Sequence, residues 1–333
     1  MNITVLGSGG WGTALALVLV ENGHRVKLWC RREEKCREMA QSRENPQLKG
    51  IPLPPELELT HDLNCLKDCP AVVLAAPSFA VRETAALAAP LLAPGAVVIS
   101  VSKGIEKDTS LTLTEVISQE LGEDCPVVAL SGPSHAEEVG RRIPTAVVAA
   151  SRNKEAAELT QDLVMNPYFR VYTTDDVMGV ERGAALKNVI ALCAGVSDGL
   201  GLGDNTKAML MTRGLTEVAR LGEAMGGRKE TFAGLAGIGD LIVTCTSMHS
   251  RNRRCGIAIG QGVPVAEAVG GGGMVVEGYY ACAAAKTLAE KMGVEMPISQ
   301  AVWRVLYRGK DPKTAAMELM AREKKAEHDG IWD

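Results

Sequence analysis

The chain has 333 residues, of which 46% are hydrophobic, 23% charged and only 4% aromatic, and its formal net charge is −4. These values predict a globular protein with two domains of about 150 residues each, and they argue against nucleic-acid binding as the main role. The nine cysteines follow no pairing or zinc-ligand pattern, which indicates reduced thiols and no metal site. No apolar run approaches the length of a bilayer span, and a strand-like run already begins at residue 2. We therefore expect a cytoplasmic protein without stable membrane insertion.

The N-terminus predicts a strand, a glycine-rich loop, a helix and a second strand, in that order. A short apolar run leads into GSGGWG at residues 7–12, and the strand-like run after the helix ends at Trp29. In this context Gly7 permits a tight turn, Gly9 lets the backbone approach a pyrophosphate, and Gly12 lets the helix pack on the strand. The free N–H groups at the helix start then bind phosphates. The segment therefore predicts a dinucleotide-binding site.

Two arginines after the second strand refine the prediction of the ligand. An NAD-binding unit usually has Asp or Glu at this position, where it holds the ribose hydroxyls. Arg31 and Arg32 occupy it here, and guanidinium groups bind the 2′-phosphate of NADP, which a carboxylate would repel. The pattern favours NADP(H). The alternative is that the two arginines only form a solvated surface.

The rest of the first half alternates strand-like and helix-like segments, which is typical of a doubly wound α/β sheet. Continuous apolar runs such as AVVLAA are those of buried parallel strands. A helix is predicted at 110–121. Further strands are predicted at 71–76, 96–101, 126–130, 145–150 and 170–173.

Long helical patterns replace the strand-like runs in the second half. The two longest cover 177–199 and 206–225, and the glycine-rich sequence GLGLGDN joins them. We therefore predict a dinucleotide-binding α/β domain at 1–176 and an all-α domain at 177–333.

Two loops that follow predicted strands carry candidate ligand-binding residues, because ligands bind at the carboxyl edge of an open α/β sheet. Lys103 in VSKG contacts a substrate oxygen or the cofactor, or it is a surface lysine. In LSGPSHAEE, Ser134 and Glu137 have the spacing of a capping box, which by itself accounts for both residues. A helix start at this edge is also an anion site. His135, a lone histidine at a helix start, is expected to be structural or solvent-facing rather than catalytic.

Lys187 is the main candidate for acid–base chemistry. On a helix its neighbours three and four positions away are Gly183, Ala184, Ile190 and Ala191, which form a small and apolar face. A lysine on such a face is desolvated, and desolvation or a second cation lowers its pKa toward the range of an acid–base catalyst. The alternative is a lysine whose amine extends to solvent.

The segment 237–252 combines a carboxylate with a candidate phosphate site. Asp240 either orients the lysine just described or simply caps a helix. Ser250 is predicted to cap the next helix, and Arg251 and Asn252 in its first turn make that helix start a phosphate site. The alternative is a solvated basic face.

Six segments together carry a resemblance to a known family. GSGGWGTALA, VSKGIE, LSGPSHAEEV, AALKNVIAL, GIGDLIVTCTSMHSRN and VVEGYYA occur in this order. The set resembles bacterial NAD-dependent glycerol-3-phosphate dehydrogenases from residue 2 to about residue 320. The resemblance implies an N-terminal Rossmann domain followed by an all-α domain like that of 6-phosphogluconate dehydrogenase. It also implies a homodimer that reversibly reduces dihydroxyacetone phosphate to sn-glycerol 3-phosphate for glycerophospholipid synthesis, with NADPH as cofactor and NADH also possible.

The resemblance also implies roles for individual residues, with Lys187 as the proton acceptor and Lys103 and Asp240 as the other catalytic groups. The implied substrate-binding residues are Lys103, Gly132, Ser134, Lys187, Asp240, Ser250, Arg251 and Asn252. The cofactor-binding residues, with the fingerprint glycines included, are Gly7, Gly9, Gly10, Trp11, Gly12, Arg31, Arg32, Lys103, Ala136, Arg251, Val275 and Glu277. By its pattern alone, Glu277 is equally a helix cap.

Two positions depart from the family pattern. Gly10 stands where the loop often has Ser or Ala, and Leu48 stands where an aromatic residue often follows the Asn45-Pro46 pair. Neither change removes a catalytic group, but Leu48 leaves one cofactor contact open.

Two alternative functions share part of this pattern. A ketopantoate reductase-like enzyme has the same domain plan and a lysine acid, but it needs a carboxylate site, whereas Ser250, Arg251 and Asn252 favour phosphate. A non-catalytic NADPH sensor would keep the N-terminal fingerprint and would not need Lys187 and Asp240.

Overall fold

The computed structural model describes residues 1–122, 124–271 and 275–327. Its strands are β1 (Asn2–Leu6), β2 (Arg25–Trp29), β3 (Glu58–Thr60), β4 (Ala71–Leu74), β5 (Val97–Ser100), β6 (Val127–Ser131), β7 (Thr145–Ala150) and β8 (Phe169–Thr174). Within the described residues they form one sheet in the order β3-β2-β1-β4-β5-β6-β7-β8. Neighbouring strands are parallel except β6 and β7. The strand order reverses between β1 and β4, which is the switch point where such sheets bind ligands.

Helices pack on both faces of this sheet. They are α1 (Gly10–Glu21), α2 (Glu33–Ser42), α3 (Val81–Ala88), α4 (Leu113–Leu121), α5 (Ala136–Val139) and α6 (Lys154–Val164). Successive strand residues point to opposite faces, so Val73 of β4 joins a core cluster with residues of α1 and α6. Its neighbours Val72 and Leu74 join a second cluster with residues of α3 and α4. The continuous apolar strands are therefore buried on both sides.

The second half is helical, and its longest helix is central to it. The helices are α7 (Val177–Gly199), α8 (Asp204–Ala224), α9 (Lys229–Phe232), α10 (Asp240–Thr246), α11 (Arg251–Gly260), α12 (Val265–Gly270), α13 (Glu277–Met292), α14 (Pro297–Arg308) and α15 (Pro312–Met320). Helix α7 packs against α8, α10, α11 and α13. It approaches α11 so closely that a Cβ on Gly195 would lie 2.1 Å from the carbonyl oxygen of Arg253. Backbone contact thus fixes α11 relative to α7.

The predicted fold class is confirmed, with differences at element boundaries. The first helix begins at Gly10, inside the glycine-rich loop, rather than after the loop ends at residue 12. Helix α4 begins at Leu113 rather than at residue 110, because Thr112 and Glu115 form a capping box there. Helix α8 begins at Asp204, two residues before the predicted start. Residues 328–333 of the predicted all-α domain lie outside the described residues.

Three further expectations concern cysteines, metals and membranes. All nine cysteines are free thiols. In the described ranges, no three His, Cys, Asp or Glu side chains come together as a metal site. No single described helix is long and apolar enough to cross a bilayer, although Lys229–Thr246 and Arg251–Gly260, bent by 48°, pass that test as a pair.

Two buried charged residues of α7 fasten the helical half to the sheet half. The Glu181 carboxylate accepts the backbone N–H of Thr114 at 3.0 Å and the hydroxyl of the same residue. Both Nη atoms of Arg182 donate to the carbonyl oxygen of Ser110 at 3.0 Å. Since the loop they hold leads from Lys103 to α4, these contacts set the position of that loop against α7.

We predict that Glu181→Ala lowers the free energy of unfolding by about 2–3 kcal/mol, because it leaves the buried Thr114 N–H without its acceptor. Chemical denaturation measures the change. The matched control Glu155→Ala, at an exposed position in the first turn of α6, should alter stability by no more than about 0.5 kcal/mol. Equal stability of the two variants would show that the contact between Glu181 and Thr114 does not stabilise the fold.

Candidate active site

A cleft of about 660 Å³ lies between the carboxyl edge of the sheet and the helical half. Its walls come from the ends of β1, β2, β4 and β5 and from α7, α10 and α11. The predicted site residues that line it are Gly7, Gly9, Gly10, Trp11, Gly12, Arg31, Arg32, Lys103, Ser134, Ala136, Lys187, Asp240, Ser250, Arg251, Asn252, Val275 and Glu277. Gly132 is not among the lining residues, but its carbonyl oxygen accepts the Lys103 amine. The structure therefore brings residues from both halves of the chain into one site.

The glycine loop has the geometry that a pyrophosphate requires. Gly7 adopts a φ of +123°, and a Cβ on Gly12 would lie 2.1 Å from the Gly7 carbonyl oxygen, so both positions exclude side chains. At Gly9 a Cβ would meet no protein atom closer than 3.8 Å, so this face of the loop stays open to a ligand. The N-terminus of α1 has no side-chain cap and no acidic residue in its first turn. These features fit a dinucleotide phosphate.

The arginines after β2 lie at the end of the cleft where an adenosine ribose would bind. The Nη2 atom of Arg31 is 2.8 Å from a carboxylate oxygen of Glu83, and both side chains are more than half exposed. Arg32 is exposed at the start of α2. The pair fits a 2′-phosphate, although Arg31 already has a carboxylate partner.

One buried carboxylate joins the two candidate lysines. Asp240 is 2% exposed, and its Oδ2 lies 2.7 Å from the Nζ of Lys103, while its Oδ1 lies 3.2 Å from the Nζ of Lys187. Lys103 also donates to the Gly132 carbonyl oxygen at 2.9 Å. The first position of α10 continues a π-helical turn at Leu235–Gly239, so Asp240 is not a helix N-cap. Its carboxylate orients both amines instead.

Lys187 is buried rather than extended to solvent. It is 5% exposed, and the pKa of its amine is lowered to about 8, chiefly because burial disfavours the charged form. The positive charge of Lys103 lowers this pKa further, and Asp240 opposes both effects. An amine with this pKa exchanges a proton readily near neutral pH.

Two residues that the sequence interpretation missed hold the Lys187 amine in place. Its Nζ donates to the hydroxyl of Thr244 at 2.6 Å and to the side-chain oxygen of Asn188 at 3.3 Å. The same Asn188 oxygen accepts from Asn252 at 2.9 Å, so the amine is linked to the start of α11. Thr244 follows Asp240 by four positions on one helix, and this spacing was the available signal.

The start of α11 is capped as predicted. The Ser250 hydroxyl accepts the backbone N–H of Arg253, and Arg253 itself is bound to Asp198. Arg251 is exposed toward the cleft. Asn252 is buried, and its side-chain oxygen accepts the N–H of Gly278 at 2.8 Å. Arg251 and the helix N-terminus therefore present a positive charge and free N–H groups to the cleft, a combination that fits an anion.

The predicted capping box of Ser134 and Glu137 is wrong. Helix α5 begins at Ala136, so His135 occupies the N-cap position, without a side-chain cap. The Ser134 hydroxyl donates to the Gly132 carbonyl oxygen at 2.9 Å, which holds the turn on the cleft wall. Burial lowers the pKa of His135, which favours the neutral imidazole.

Comparisons with known proteins agree with this geometry. The family model for the N-terminus of NAD-dependent glycerol-3-phosphate dehydrogenase matches residues 2–157, and the model for its C-terminus matches residues 176–317. The chain belongs to this family. It is 54% identical to the glycerol-3-phosphate dehydrogenase [NAD(P)+] of Geobacillus thermodenitrificans, over 100% of this chain and 98% of the relative. It is 51% identical to that of Desulfitobacterium hafniense, over 98% and 92%.

Solved structures separate this family from a similar fold. The glycerol-3-phosphate dehydrogenase of Coxiella burnetii matches with a TM-score of 0.92 and 42% identity, over 96% of this chain and 98% of that chain. A ketopantoate reductase from Ralstonia eutropha matches with a TM-score of 0.61 and 14% identity, a likeness that extends to the fold alone.

The departures from the glycerol-3-phosphate dehydrogenase pattern are local. Leu48, at the position that is often aromatic in the family, is 1% exposed in the core, and the neighbouring Gln47 lines the cleft instead. A Cβ on Gly10 would lie 2.9 Å from the Gln47 carbonyl oxygen. Glycine therefore suits this close contact better than the Ser or Ala often found in the family.

The helical half closes the cleft beside the glycine loop. Glu277 accepts the Ser78 hydroxyl at 2.7 Å. Burial raises the pKa of Glu277, while the Ser78 hydrogen bond and the charge of Arg251 oppose that rise. Glu277 is in the first turn of α13 but does not cap it. It is therefore a bridge between the two halves of the chain at the edge of the dinucleotide region.

We predict that two glycine substitutions in the loop separate binding from folding. Gly9→Ala should leave the melting temperature within about 2 °C of wild type, because its Cβ would meet no protein atom closer than 3.8 Å, and should weaken NADPH binding by about tenfold or more. Gly12→Ala should destabilise the fold, because its Cβ would overlap the Gly7 carbonyl. Thermal unfolding and fluorescence titration with NADPH measure both. Unchanged NADPH affinity in Gly9→Ala would contradict the placement of the pyrophosphate.

Proposed function

We propose that this protein reversibly reduces dihydroxyacetone phosphate to sn-glycerol 3-phosphate, with NADPH preferred and NADH accepted. The observation that carries the proposal is the position of Asp240 between Lys103 and Lys187. This cluster lies in a cleft that also contains the glycine loop and the basic start of α11. We propose that residues 1–176 are the dinucleotide-binding domain and that residues 177–333 are the helical substrate-binding domain. Lys103, Gly132 and Ser134 of the first domain complete the substrate site, and Val275 and Glu277 of the second complete the cofactor site.

The chain's own residues account for the proton chemistry. A dinucleotide held by the glycine loop would supply, from its nicotinamide ring, the hydride that adds to C2 of the substrate. Lys187, as the ammonium form, donates a proton to the C2 oxygen as it becomes a hydroxyl. In the reverse direction the neutral Lys187 amine accepts that proton. Lys103 adds a positive charge near the same oxygen, and Asp240 orients both amines.

Substrate selection depends on the phosphate. Arg251 and the N-terminus of α11 are proposed to bind it, with Ser250 and Asn252 shaping that helix start. Gly132 and Ser134 are proposed to hold the glycerol moiety near Lys103. Binding energy from the phosphate then positions the carbonyl for reaction. Ala136, Val275 and Glu277 are proposed to contact the cofactor.

We further propose that the protein acts in the cytoplasm as a homodimer. Support comes from its resemblance to bacterial glycerol-3-phosphate dehydrogenases. Analytical ultracentrifugation of the purified chain measures the oligomeric state directly, and a monomer at micromolar concentration would overturn that part of the proposal.

We predict that the purified protein oxidises NADPH with dihydroxyacetone phosphate and not with ketopantoate, followed by absorbance at the reduced nicotinamide band. Lys187→Ala should lower kcat by about 10²–10⁴ with NADPH affinity nearly intact, because it removes the general acid. The control Lys154→Ala, an exposed lysine on α6, should behave as wild type. Turnover of ketopantoate alone, or normal turnover in Lys187→Ala, would overturn the proposal.

We predict a second effect, on pH dependence. In the direction of reduction kcat should fall as pH rises through about 8, because the Lys187 ammonium is the acid, whose pKa lies there. Asp240→Asn removes the carboxylate that raises this pKa, so the fall should begin at lower pH. The oxidation rate should instead rise with pH. If the pH dependence of kcat were the same in Asp240→Asn as in wild type, the fall of kcat at high pH could not be assigned to Lys187.

A further inference from the structure

Lys35 is a cation of the cleft that the proposed mechanism does not use. It lies in the first turn of α2, three residues after Arg32, and it lines the same part of the cleft as the two arginines. Arg31 and Arg32 are exposed, whereas Lys35 is half-buried. Its amine is therefore held at the wall of the cleft rather than in bulk solvent.

The amine of Lys35 connects the strand end to the glycine loop. Its Nζ donates to the carbonyl oxygen of Ser8 at 2.5 Å, and Ser8 lies between the two glycines that surround the pyrophosphate position. An ammonium group has three N–H donors. One is used by Ser8, which leaves the others for a ligand between the loop and the end of β2.

The charges around Lys35 are arranged for an anion. Burial is the main cause that lowers the pKa of Lys35, Cys30 opposes this effect, and the positive charge of Arg32 lowers the pKa by a smaller amount. Arg31 is compensated by Glu83 at 2.8 Å. Lys35 and Arg32 are thus adjacent positive charges at the position where a Rossmann domain meets the 2′ substituent of the ribose.

We propose that Lys35 determines the preference for NADPH, by donating to the 2′-phosphate while one of its N–H groups remains on Ser8. The inference rests on the proposed dinucleotide site and adds to it a residue that selects between the two cofactors. The 2′-phosphate is then bound by Lys35 and Arg32. Arg31 contributes only if its ion pair with Glu83 breaks.

A loop-anchoring role alone makes a different prediction. If Lys35 only fixes the glycine loop through Ser8, its loss affects the pyrophosphate site, which NADPH and NADH share. If it binds the 2′-phosphate, its loss affects only ligands that carry this group. The ratio of the two affinities therefore separates the two roles.

The experiment compares Lys35→Met, Lys35→Arg and the control Arg37→Met, an exposed arginine of α2 that pairs with Glu33 and lies outside the cleft lining. Isothermal titration calorimetry measures the affinity for adenosine 2′,5′-bisphosphate and for ADP. Steady-state kinetics measures the KM for NADPH and for NADH. Lys35→Met should weaken binding of the bisphosphate and raise the KM for NADPH by about tenfold or more. The affinity for ADP and the KM for NADH should stay within about threefold of the wild-type values. Lys35→Arg should recover most of the loss, and Arg37→Met should change nothing.

An equal loss for both cofactors, or no loss for either, would overturn the proposal. Bisphosphate binding needs no turnover, so it tests Lys35 even if the substrate of the enzyme were different. Failure to reduce dihydroxyacetone phosphate would count against the proposed function, and failure to discriminate the 2′-phosphate would count against Lys35.

Discussion

The buried carboxylate of Asp240 is the interaction on which the rest of the site depends. It lies between Lys103 from the sheet and Lys187 from α7, at 2.7 Å and 3.2 Å. With both amines protonated the cluster keeps one positive charge in excess, and burial makes that charge costly. An oxyanion that forms beside the two amines offsets it. Burial, with a smaller contribution from the charge of Lys103, lowers the pKa of Lys187 to about 8 although Asp240 opposes both effects. In the proposed mechanism one arrangement thus both stabilises the developing charge and supplies the proton.

This arrangement requires the two halves of the chain to be held in register. Glu181 and Arg182 fasten α7 to the loop that follows Lys103, and backbone contact at Gly195 fixes α11 against α7. Asn188 and Asn252 then link the Lys187 amine to the start of α11. The proposed acid–base group and the proposed phosphate site are consequently held by the same packed helices. Binding of the phosphate would then position the substrate carbonyl.

The sequence allowed those parts of the structure that depend on local pattern to be predicted. Apolar runs indicated the buried strands, and the glycine spacing indicated the turn at Gly7. Lys187 was recognisable because its helical neighbours are small. Thr244 was missed because its contact with Lys187 arises only when α7 and α10 pack together. Asn188, the neighbour of Lys187 on α7, was missed because its link to Asn252 arises only when α11 packs on α7. Ser134 was misjudged because α5 begins one residue later than a capping box needs, and its hydroxyl turns to the Gly132 carbonyl instead.

A crystal structure of the protein with NADP⁺ and sn-glycerol 3-phosphate tests the central claim most directly. The account predicts the C2 hydroxyl oxygen within hydrogen-bonding distance of the Lys187 Nζ, Asp240 still between the two lysines, and the phosphate at Arg251 and the start of α11. A substrate whose hydroxyl lies away from Lys187, or whose phosphate binds elsewhere in the cleft, would contradict it.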